Sequence, residues 1–301
     1  MSSLTFVLIL ARSVLRYFLP FVVLLLCSGC FEHRRFSRKE IRKDLTSRGV
    51  PVKVVYYDTL GRTIRYLKIG ADTLPRKMIL IHGSPSSLEG LRYYLSDPDI
   101  QRGTQLIAPD RPGYGESDYG WGEKFISRQS EVLSLMLRQT RDERPTLLLG
   151  TSYGATVAVR LAMDHPGYFD RLLLTCGSYR PGAEKIYGLS KIVPVLSSLI
   201  PGFIHVADDE KQNHRPHLEA MVPLWDRIRI PVTMVHGLED RLLYPDNPLW
   251  AARQLTNAPE VNVLYLAGQR HGIMWTARPF IKPLILRELE ALPHRHRVAL
   301  P

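Results

Sequence analysis

The chain has 301 residues, of which 45% are hydrophobic and 23% charged, a composition typical of one globular domain. Its three cysteines are too few and too poorly spaced for a disulfide framework or a zinc site. The formal net charge is +11, but the sequence has no basic helix interleaved with aromatic residues and no recognition motif, which argues against a nucleic-acid partner.

The first thirty residues have the layout of an export signal. Arg12 and Arg16 precede the apolar run 17–26, and small residues follow it. The run is short for a membrane span, although an earlier apolar stretch could extend it. The ending Leu-Cys-Ser-Gly-Cys at 26–30 resembles a bacterial lipoprotein signal, which implies lipidation of Cys30. We expect an exported protein anchored in the cell envelope; a plain signal peptide, an uncleaved anchor or a mis-set start codon are the alternatives.

A basic segment follows the export signal. Residues 1–50 contain nine Lys/Arg against three Asp/Glu, about half of the positive excess of the chain. Six of the basic residues lie within 34–43, directly after Cys30. We expect residues 31–49 to be a linker. One lipid chain alone binds a membrane weakly, and this basic linker would strengthen the binding by attraction to anionic lipids. A linker that is simply solvated is an equally good interpretation.

From residue 50 onward, short apolar runs alternate with helical patterns. Runs 52–57 and 62–69 alternate apolar and polar residues around a Thr-Leu-Gly turn, which predicts an antiparallel hairpin. Six further apolar runs predict buried strands: Met78–Ile81, Leu106–Ala108, Thr146–Leu149, Leu172–Thr175, Val232–Val235 and Val261–Leu266. Helical patterns such as 125–138 and 153–163 separate them. The order predicts an α/β domain over residues 50–290, with a mostly parallel sheet, helices on both faces and the hairpin at the edge, before a basic tail at 291–301.

The stretch Gly150-Thr151-Ser152-Tyr153-Gly154 is the most informative one in the sequence. It follows an apolar run and leads directly into a helical pattern. The Gly-x-Ser-x-Gly spacing is typical of a nucleophile elbow, in which a serine takes a strained conformation between strand and helix. Glycines flank the serine because a Cβ would collide where strand and helix nearly touch. The alternative is a strand–turn–helix without chemistry.

Four further polar loops lie where predicted strands end, the edge at which functional groups gather in parallel sheets. They contain His-Gly-Ser-Pro at 82–85, Asp-Arg-Pro-Gly-Tyr-Gly-Glu-Ser at 110–117, His-Gly-Leu-Glu-Asp at 236–240 and Gly-Gln-Arg-His at 268–271. With the elbow, these motifs resemble the α/β-hydrolase superfamily over about residues 50–290. That superfamily carries its nucleophile, acid and histidine in this order along the chain. Ser152, Asp240 and His271 match the order.

The resemblance implies an α/β-hydrolase fold and a serine hydrolase that cleaves a carboxylic ester or related acyl bond of a small-molecule substrate. Ser152 would be the nucleophile, His271 the base and Asp240 the residue that orients the histidine. The backbone N–H groups of Ser84 and Tyr153 would form the oxyanion hole. A serine at 152 argues against the aspartate-nucleophile branches, the haloalkane dehalogenases and epoxide hydrolases. No cofactor or metal is needed; the choice among esterase or lipase, thioesterase, carbon–carbon bond hydrolase and aminopeptidase stays open, as does the oligomeric state.

Other polar residues are interpreted as structural. His205, His214 and His217 fall in an irregular polar region and are assigned to a solvated loop, because no further metal ligand of the right type accompanies them. Further residues are read as strand-end or turn residues, or as pointing away from the site: His82, His236, Asp110 and Glu239.

Residues 179–230 interrupt the alternation of strands and helices. In α/β-hydrolases an insertion at this position forms a lid over the active site, so we expect a small lid of two or three short helices. Its apolar residues are consistent with a hydrophobic acyl pocket. The alternative is that they only pack the lid onto the domain. A non-catalytic envelope protein that uses the fold as a binding scaffold is the alternative function, against which the intact triad weighs.

Overall fold

An eight-stranded sheet forms the centre of the part of the chain that the computed structural model describes, namely residues 43, 46–47, 49–183 and 200–293. These residues belong to the unit 35–301. The predicted export signal, Cys30, residues 184–199 of the predicted lid and residues 294–301 of the tail lie outside the described residues. Within the described ranges, no helix combines the length and apolar character required to cross a membrane.

The strands pair in the order β1-β2-β4-β3-β5-β6-β7-β8. β1 runs antiparallel to β2, with Val52 opposite Ile69, and β2 runs antiparallel to β4, whereas all later neighbours are parallel. Their bounds are β1 Val52–Thr59, β2 Arg62–Ile69, β3 Arg76–Ile81, β4 Thr104–Pro109, β5 Thr146–Thr151, β6 Arg171–Thr175, β7 Val232–Gly237 and β8 Val261–Leu266. The mostly parallel sheet with a hairpin at its edge confirms the fold predicted from the sequence.

Helices cover both faces of this sheet. In chain order they are α1 Arg92–Leu95, α2 Pro98–Gln101, α3 Ile126–Gln139, α4 Tyr153–Asp164, α5 Gly202–Gln212, α6 His214–Met221, α7 Asn247–Gln254, α8 Ile273–Thr276 and α9 Arg278–Glu290. Short 3₁₀ helices lie at Leu88–Leu91 and Val222–Arg227. Helices α3 and α4 pack on one face, and α9 packs on the other.

Continuous apolar runs form the central strands because both faces of the sheet are buried. In β3, Ile79 and Ile81 pack in the core under α3 and α4, whereas Met78 and Leu80 pack in the core on the opposite face. Alternate residues of a strand point to opposite faces, so a strand covered on both sides needs apolar residues at every position. The same pattern recurs in β5 at Leu147 and Leu148.

Since β3 and β5 to β8 are mutually parallel neighbours in the sheet, their carboxyl ends meet at one edge. The loops after β5, β7 and β8 carry Ser152, Asp240 and His271. The topology therefore brings together residues that are up to 119 positions apart in the chain.

Candidate active site

The turn between β5 and α4 holds Ser152 in a strained backbone conformation, with φ 53° and ψ −127°. Positive φ is costly for a residue with a Cβ and is typical of functional turns. The neighbouring glycines explain how the turn fits: a Cβ on Gly150 would lie 2.6 Å from the carbonyl oxygen of Gly154. A Cβ on Gly154 would lie 2.2 Å from the carbonyl oxygen of His82. This local geometry is the one that the Gly-x-Ser-x-Gly spacing predicts.

The structure places Ser152, His271 and Asp240 in one hydrogen-bonded chain. Nε2 of His271 lies 2.9 Å from Oγ of Ser152, and Nδ1 of His271 lies 2.8 Å from Oδ2 of Asp240. Because an ionised carboxylate can only accept, Nδ1 carries the proton in the neutral ring and Nε2 is the acceptor that faces the serine. This tautomer allows the ring to take the proton of the Ser152 hydroxyl.

Several donors surround the carboxylate of Asp240, which is 5% exposed. Its Oδ1 accepts hydrogen bonds from the backbone N–H groups of Leu242 and Leu243, at 2.8 and 3.0 Å. Nε2 of His236 lies 3.0 Å from Oδ2. Burial alone would raise the pKa of Asp240, but the contacts with His236 and His271 and the backbone N–H group of Leu243 outweigh it and hold the pKa below its ordinary value. The carboxylate therefore stays ionised beside His271.

His82 and Arg111 hold the loop that carries Ser84. Nδ1 of His82 contacts the carbonyl oxygen of Gly83 at 2.8 Å, while Nε2 accepts from the backbone N–H of Arg111 at 2.9 Å. The Arg111 guanidinium donates to the carbonyl oxygens of His82 and Gly83, each at 3.0 Å. Since the peptide unit is planar and trans, fixing the carbonyl of Gly83 also fixes the direction of the Ser84 N–H. The structural role that the sequence predicts for His82 agrees with these contacts.

A buried ion pair links this loop to helix α5. The Arg111 guanidinium, which is fully buried, contacts both carboxylate oxygens of Glu210, which is 1% exposed. Glu210 also accepts hydrogen bonds from Tyr114 Oη at 2.8 Å and from Gln129 Nε2 at 2.9 Å. Tyr114 Oη in turn lies 2.7 Å from Oγ of Ser84. Helix α5 is thus tied to the loop next to Ser152.

A cavity of about 250 Å³ opens beside Ser152 and His271. Ser84, Pro85 and Tyr153 line it from the loops after β3 and β5, and Leu242 and Leu243 line it from the loop after β7. Helix α5 and the start of α6 contribute the remaining helical side chains: Ala207, Lys211 and His214. The residues predicted for the oxyanion hole, Ser84 and Tyr153, therefore line the same cavity as the Ser–His–Asp chain, and their role stays a prediction.

The solvated loop predicted for His205, His214 and His217 is wrong. His205 lies in α5, and His214 and His217 lie in α6. His214 is only 4% exposed, because α6 turns its ring onto the face of Tyr153, with ring centroids 4.9 Å apart. Polar residues dominate this part of the segment 179–230, so its sequence does not indicate which side chains the expected short helices bury.

The alternative acids stay apart from the histidine. Glu239 is exposed, next to the buried Asp240. Asp110 is fully buried in another cluster, where its carboxylate accepts from Arg65 Nε at 2.6 Å and from the backbone N–H groups of Leu88 and Glu116. Both observations agree with the structural roles predicted for these residues.

Among the described residues, one cluster of side chains could hold a metal ion: Cys176 together with Asp240 and His271. The sulfur of Cys176 and the side chains of Asp240 and His271 have ligand atoms within 4.8 Å of one another. Burial raises the pKa of the Cys176 thiol to about 12, which disfavours the thiolate that a metal would need. Asp240 and His271 are also bonded to each other. The donor set fits a hydrogen-bonded triad better than a metal site.

Sequence reasoning missed several residues around the cavity. Arg111, Glu210, Lys211 and His214 were not assigned to the site, and the contact of His236 with Asp240 was not foreseen. Arg111 does carry a signal, since a charged residue directly after a buried strand must find a partner. No local sequence pattern marks the remaining residues as part of the site: Glu210, Lys211, His214 and His236.

Comparison with known proteins agrees with the fold. A family model described as the alpha/beta hydrolase fold matches residues 77–205. The AB hydrolase superfamily protein YfhM of Bacillus subtilis (strain 168) is 29% identical over 125 residues, which are 40% of this chain and 42% of that protein. The epoxide hydrolase srdG of Neurospora crassa is 28% identical over 117 residues, which are 38% of this chain and 34% of that protein. The chain thus matches less than half the length of these curated relatives.

Solved structures give a longer match. The 2-hydroxy-6-oxo-6-phenylhexa-2,4-dienoate hydrolase BphD from Rhodococcus sp. strain RHA1 superimposes with a TM-score of 0.62 at 15% identity, over 80% of this chain and 100% of that one. At this identity the likeness concerns the fold. Sheet order, family match and structural likeness agree that the chain has the α/β-hydrolase fold.

Proposed function

We propose that this protein is a serine hydrolase that cleaves a carboxylic ester or a related acyl bond through an acyl-enzyme. The observation that carries the proposal is the chain of contacts from Ser152 Oγ through His271 to Asp240, with distances of 2.9 and 2.8 Å. A serine hydroxyl is a weak nucleophile at neutral pH, so an adjacent imidazole with a fixed tautomer supplies the activation that the reaction needs.

The first half of the reaction transfers the acyl group to the protein. Oγ of Ser152 attacks the carbonyl carbon while Nε2 of His271 takes the hydroxyl proton. Asp240, held ionised by its contacts with His236 and His271, stabilises the imidazolium that forms. The backbone N–H groups of Ser84 and Tyr153 would stabilise the oxyanion, each lowering the activation barrier by roughly 3 kcal/mol. Collapse breaks the bond to the leaving group, which receives the proton from His271.

The second half regenerates the serine. A water molecule attacks the acyl-Ser152 carbonyl as His271 removes its proton, and the acid is released when the proton returns to Oγ of Ser152. One relative is an epoxide hydrolase, a class that uses an aspartate nucleophile. Position 152 of this chain is a serine, so the carboxylate that such a reaction needs is missing there.

Labelling with a fluorophosphonate probe tests this proposal. The wild type should be labelled because the probe traps an activated serine, and Ser152→Ala should lose the label. Ser127→Ala is the matched control, since Ser127 is exposed and does not line the cavity beside Ser152. A folded wild type that does not react would instead favour the second candidate, a non-catalytic envelope protein that binds ligands in this cavity.

We also propose that the protein is exported and anchored to a membrane through a lipid on Cys30, on the basis of the lipoprotein-like ending at 26–30 and the basic residues after it. Cys30→Ser should move the protein from the membrane pellet to the soluble fraction in a bacterial host, whereas Cys27→Ser should pellet like the wild type. Continued pelleting of Cys30→Ser would favour an uncleaved anchor.

A further inference from the structure

The cavity beside Ser152 has two polar side chains that the reaction described above does not use. Lys211 lies in the last turn of helix α5, and His214 begins helix α6 three residues later. Both line the same cavity as Ser152 and His271. A substrate bound in this cavity would therefore contact them as well as the nucleophile.

His214 is a buried polar group without a hydrogen-bond partner among the described residues. It is 4% exposed, and within the described part of the chain neither Nδ1 nor Nε2 is hydrogen-bonded. Burial lowers the pKa of His214 to about 3, so the ring is neutral at working pH and offers one N–H donor and one acceptor. Buried polar side chains in native proteins are nearly always hydrogen-bonded, so an exception on a cavity wall points to a ligand that completes it.

Lys211 provides the positive charge of this wall. Among the described residues that line the cavity it is the one lysine or arginine, and none of them is acidic. Asp208, one turn earlier in the same helix, interacts with it electrostatically but does not line the cavity. An ammonium group on a partly enclosed wall, with lowered solvation, attracts an anion more strongly than the same group in open water.

We propose that Lys211 and His214 form a subsite for a carboxylate group carried on the substrate, so that the preferred substrates are small acyl esters with a negative charge away from the scissile bond. This inference rests on the proposed function, because it names the substrates of that hydrolase. A carboxylate accepts hydrogen bonds from both an ammonium and a neutral imidazole N–H. The volume of about 250 Å³ suits a short acyl group and an anion within a few bonds of the ester.

A matched pair of esters tests the subsite. Mono-4-nitrophenyl adipate carries a free carboxylate, and methyl 4-nitrophenyl adipate has the same chain without the charge. The wild type should show a kcat/KM for the anionic ester roughly tenfold or more above that for the neutral one, as expected for one charge-assisted hydrogen bond. Lys211→Met should lower this ratio to about one, and Lys211→Glu should lower it below one by like-charge repulsion.

Lys53→Met is the matched control, because Lys53 is an exposed lysine of β1 that does not line the cavity, and it should keep the wild-type ratio. An ester with a terminal phosphonate in place of the carboxylate tests which kind of anion the subsite prefers. A wild-type preference for the phosphonate over the carboxylate would overturn the carboxylate assignment. Equal turnover of the charged and neutral adipates by the wild type, or an unchanged ratio in Lys211→Met, would overturn the subsite.

Binding separates this inference from the proposed function. Adipate titrated calorimetrically into the Ser152→Ala variant should bind at least tenfold more tightly than it binds the Ser152→Ala/Lys211→Met double variant. If adipate binding depends on Lys211 but no ester is turned over, the subsite stands and the hydrolase proposal fails. If esters are hydrolysed but adipate binds both variants equally, the hydrolase stands and the subsite fails.

Discussion

The two sides of the cavity are built in different ways. On the sheet side, Ser152, Asp240 and His271 follow strands β5, β7 and β8, and backbone N–H groups hold the carboxylate of Asp240. On the helix side, Lys211 and His214 lie on α5 and α6, and the ion pair between Glu210 and Arg111 joins α5 to the sheet.

This contrast shows where the site needs rigidity. Groups that exchange a proton must keep their distances within a fraction of an ångström, and strand ends in a packed sheet provide that precision. Groups that only bind a substrate tolerate more displacement, so helices attached through a few contacts are sufficient. We therefore expect changes on the sheet side to affect turnover most, and changes on the helix side to affect stability and selectivity.

The largest effect should come from the sheet side, with Asp240→Asn. The amide would stabilise the wrong tautomer of His271 and remove the charge opposite the imidazolium, so kcat should fall by about 10⁴ while folding is retained. Ester turnover and circular dichroism measure the two quantities. Glu239→Gln, a change at the exposed neighbour, should leave turnover close to wild type. Unchanged activity in Asp240→Asn would mean that another group acts as the acid.

The contact between the two sides should give the next largest effect. Glu210→Gln keeps the shape of the side chain but leaves the buried Arg111 guanidinium without its counter-charge. Breaking a buried pair in this way costs about 3–5 kcal/mol in the free energy of unfolding, which urea denaturation measures. We also expect a lower kcat, because Arg111 holds the carbonyl of Gly83 and thereby the direction of the Ser84 N–H.

A surface pair provides the control for this change. Glu219 contacts Arg215 at 2.9 Å on α6, and both side chains are more than half exposed. Solvent screens such a pair, so Glu219→Gln should leave the unfolding free energy within experimental error. Equal losses in Glu210→Gln and Glu219→Gln would show that the buried pair has no special role in attaching α5.

The sheet side of the site is predictable from sequence because its signals are local. Ser152 lies between two glycines directly after an apolar strand, and Asp240 and His271 each lie five residues after a later predicted strand. A parallel sheet brings such strand ends to one edge whatever the details of packing. Alternating apolar runs and helical patterns therefore predict both the fold and the meeting of these three side chains.

The helix side is not predictable in this way. The position of Lys211 over the cavity depends on Glu210 meeting Arg111, 99 residues away in sequence, and no local spacing reports that contact. His214 was assigned to a solvated loop because its neighbours are polar, yet α6 buries it against Tyr153. Tertiary packing decides the burial of a polar helix, which the sequence pattern alone does not contain.

The smallest effect expected is a gain in stability on the helix side. His214→Phe keeps a ring that can stack on Tyr153 but removes two buried nitrogen atoms that accept or donate no hydrogen bond to the residues the structure describes. Replacing an unpartnered buried polar group by an apolar one of similar shape should raise the unfolding free energy by about 1 kcal/mol at pH 7. The same variant should show a weaker preference for anionic esters. His217→Phe, at a half-buried histidine of the same helix, should give no comparable gain.

The gain in His214→Phe should also depend on pH, in a direction that burial determines. Burial lowers the pKa of His214 from 6.5 in the unfolded chain to about 3 in the folded protein, so the unfolded state binds more protons between these values. The wild type therefore loses stability as pH falls below about 6.5, whereas the phenylalanine variant lacks this contribution. Urea denaturation at pH 7 and pH 5 should show the difference between variant and wild type growing toward pH 5. A difference that is constant with pH would mean that the imidazole keeps its ordinary pKa in the folded protein, and hence that α6 does not bury it as an uncharged group.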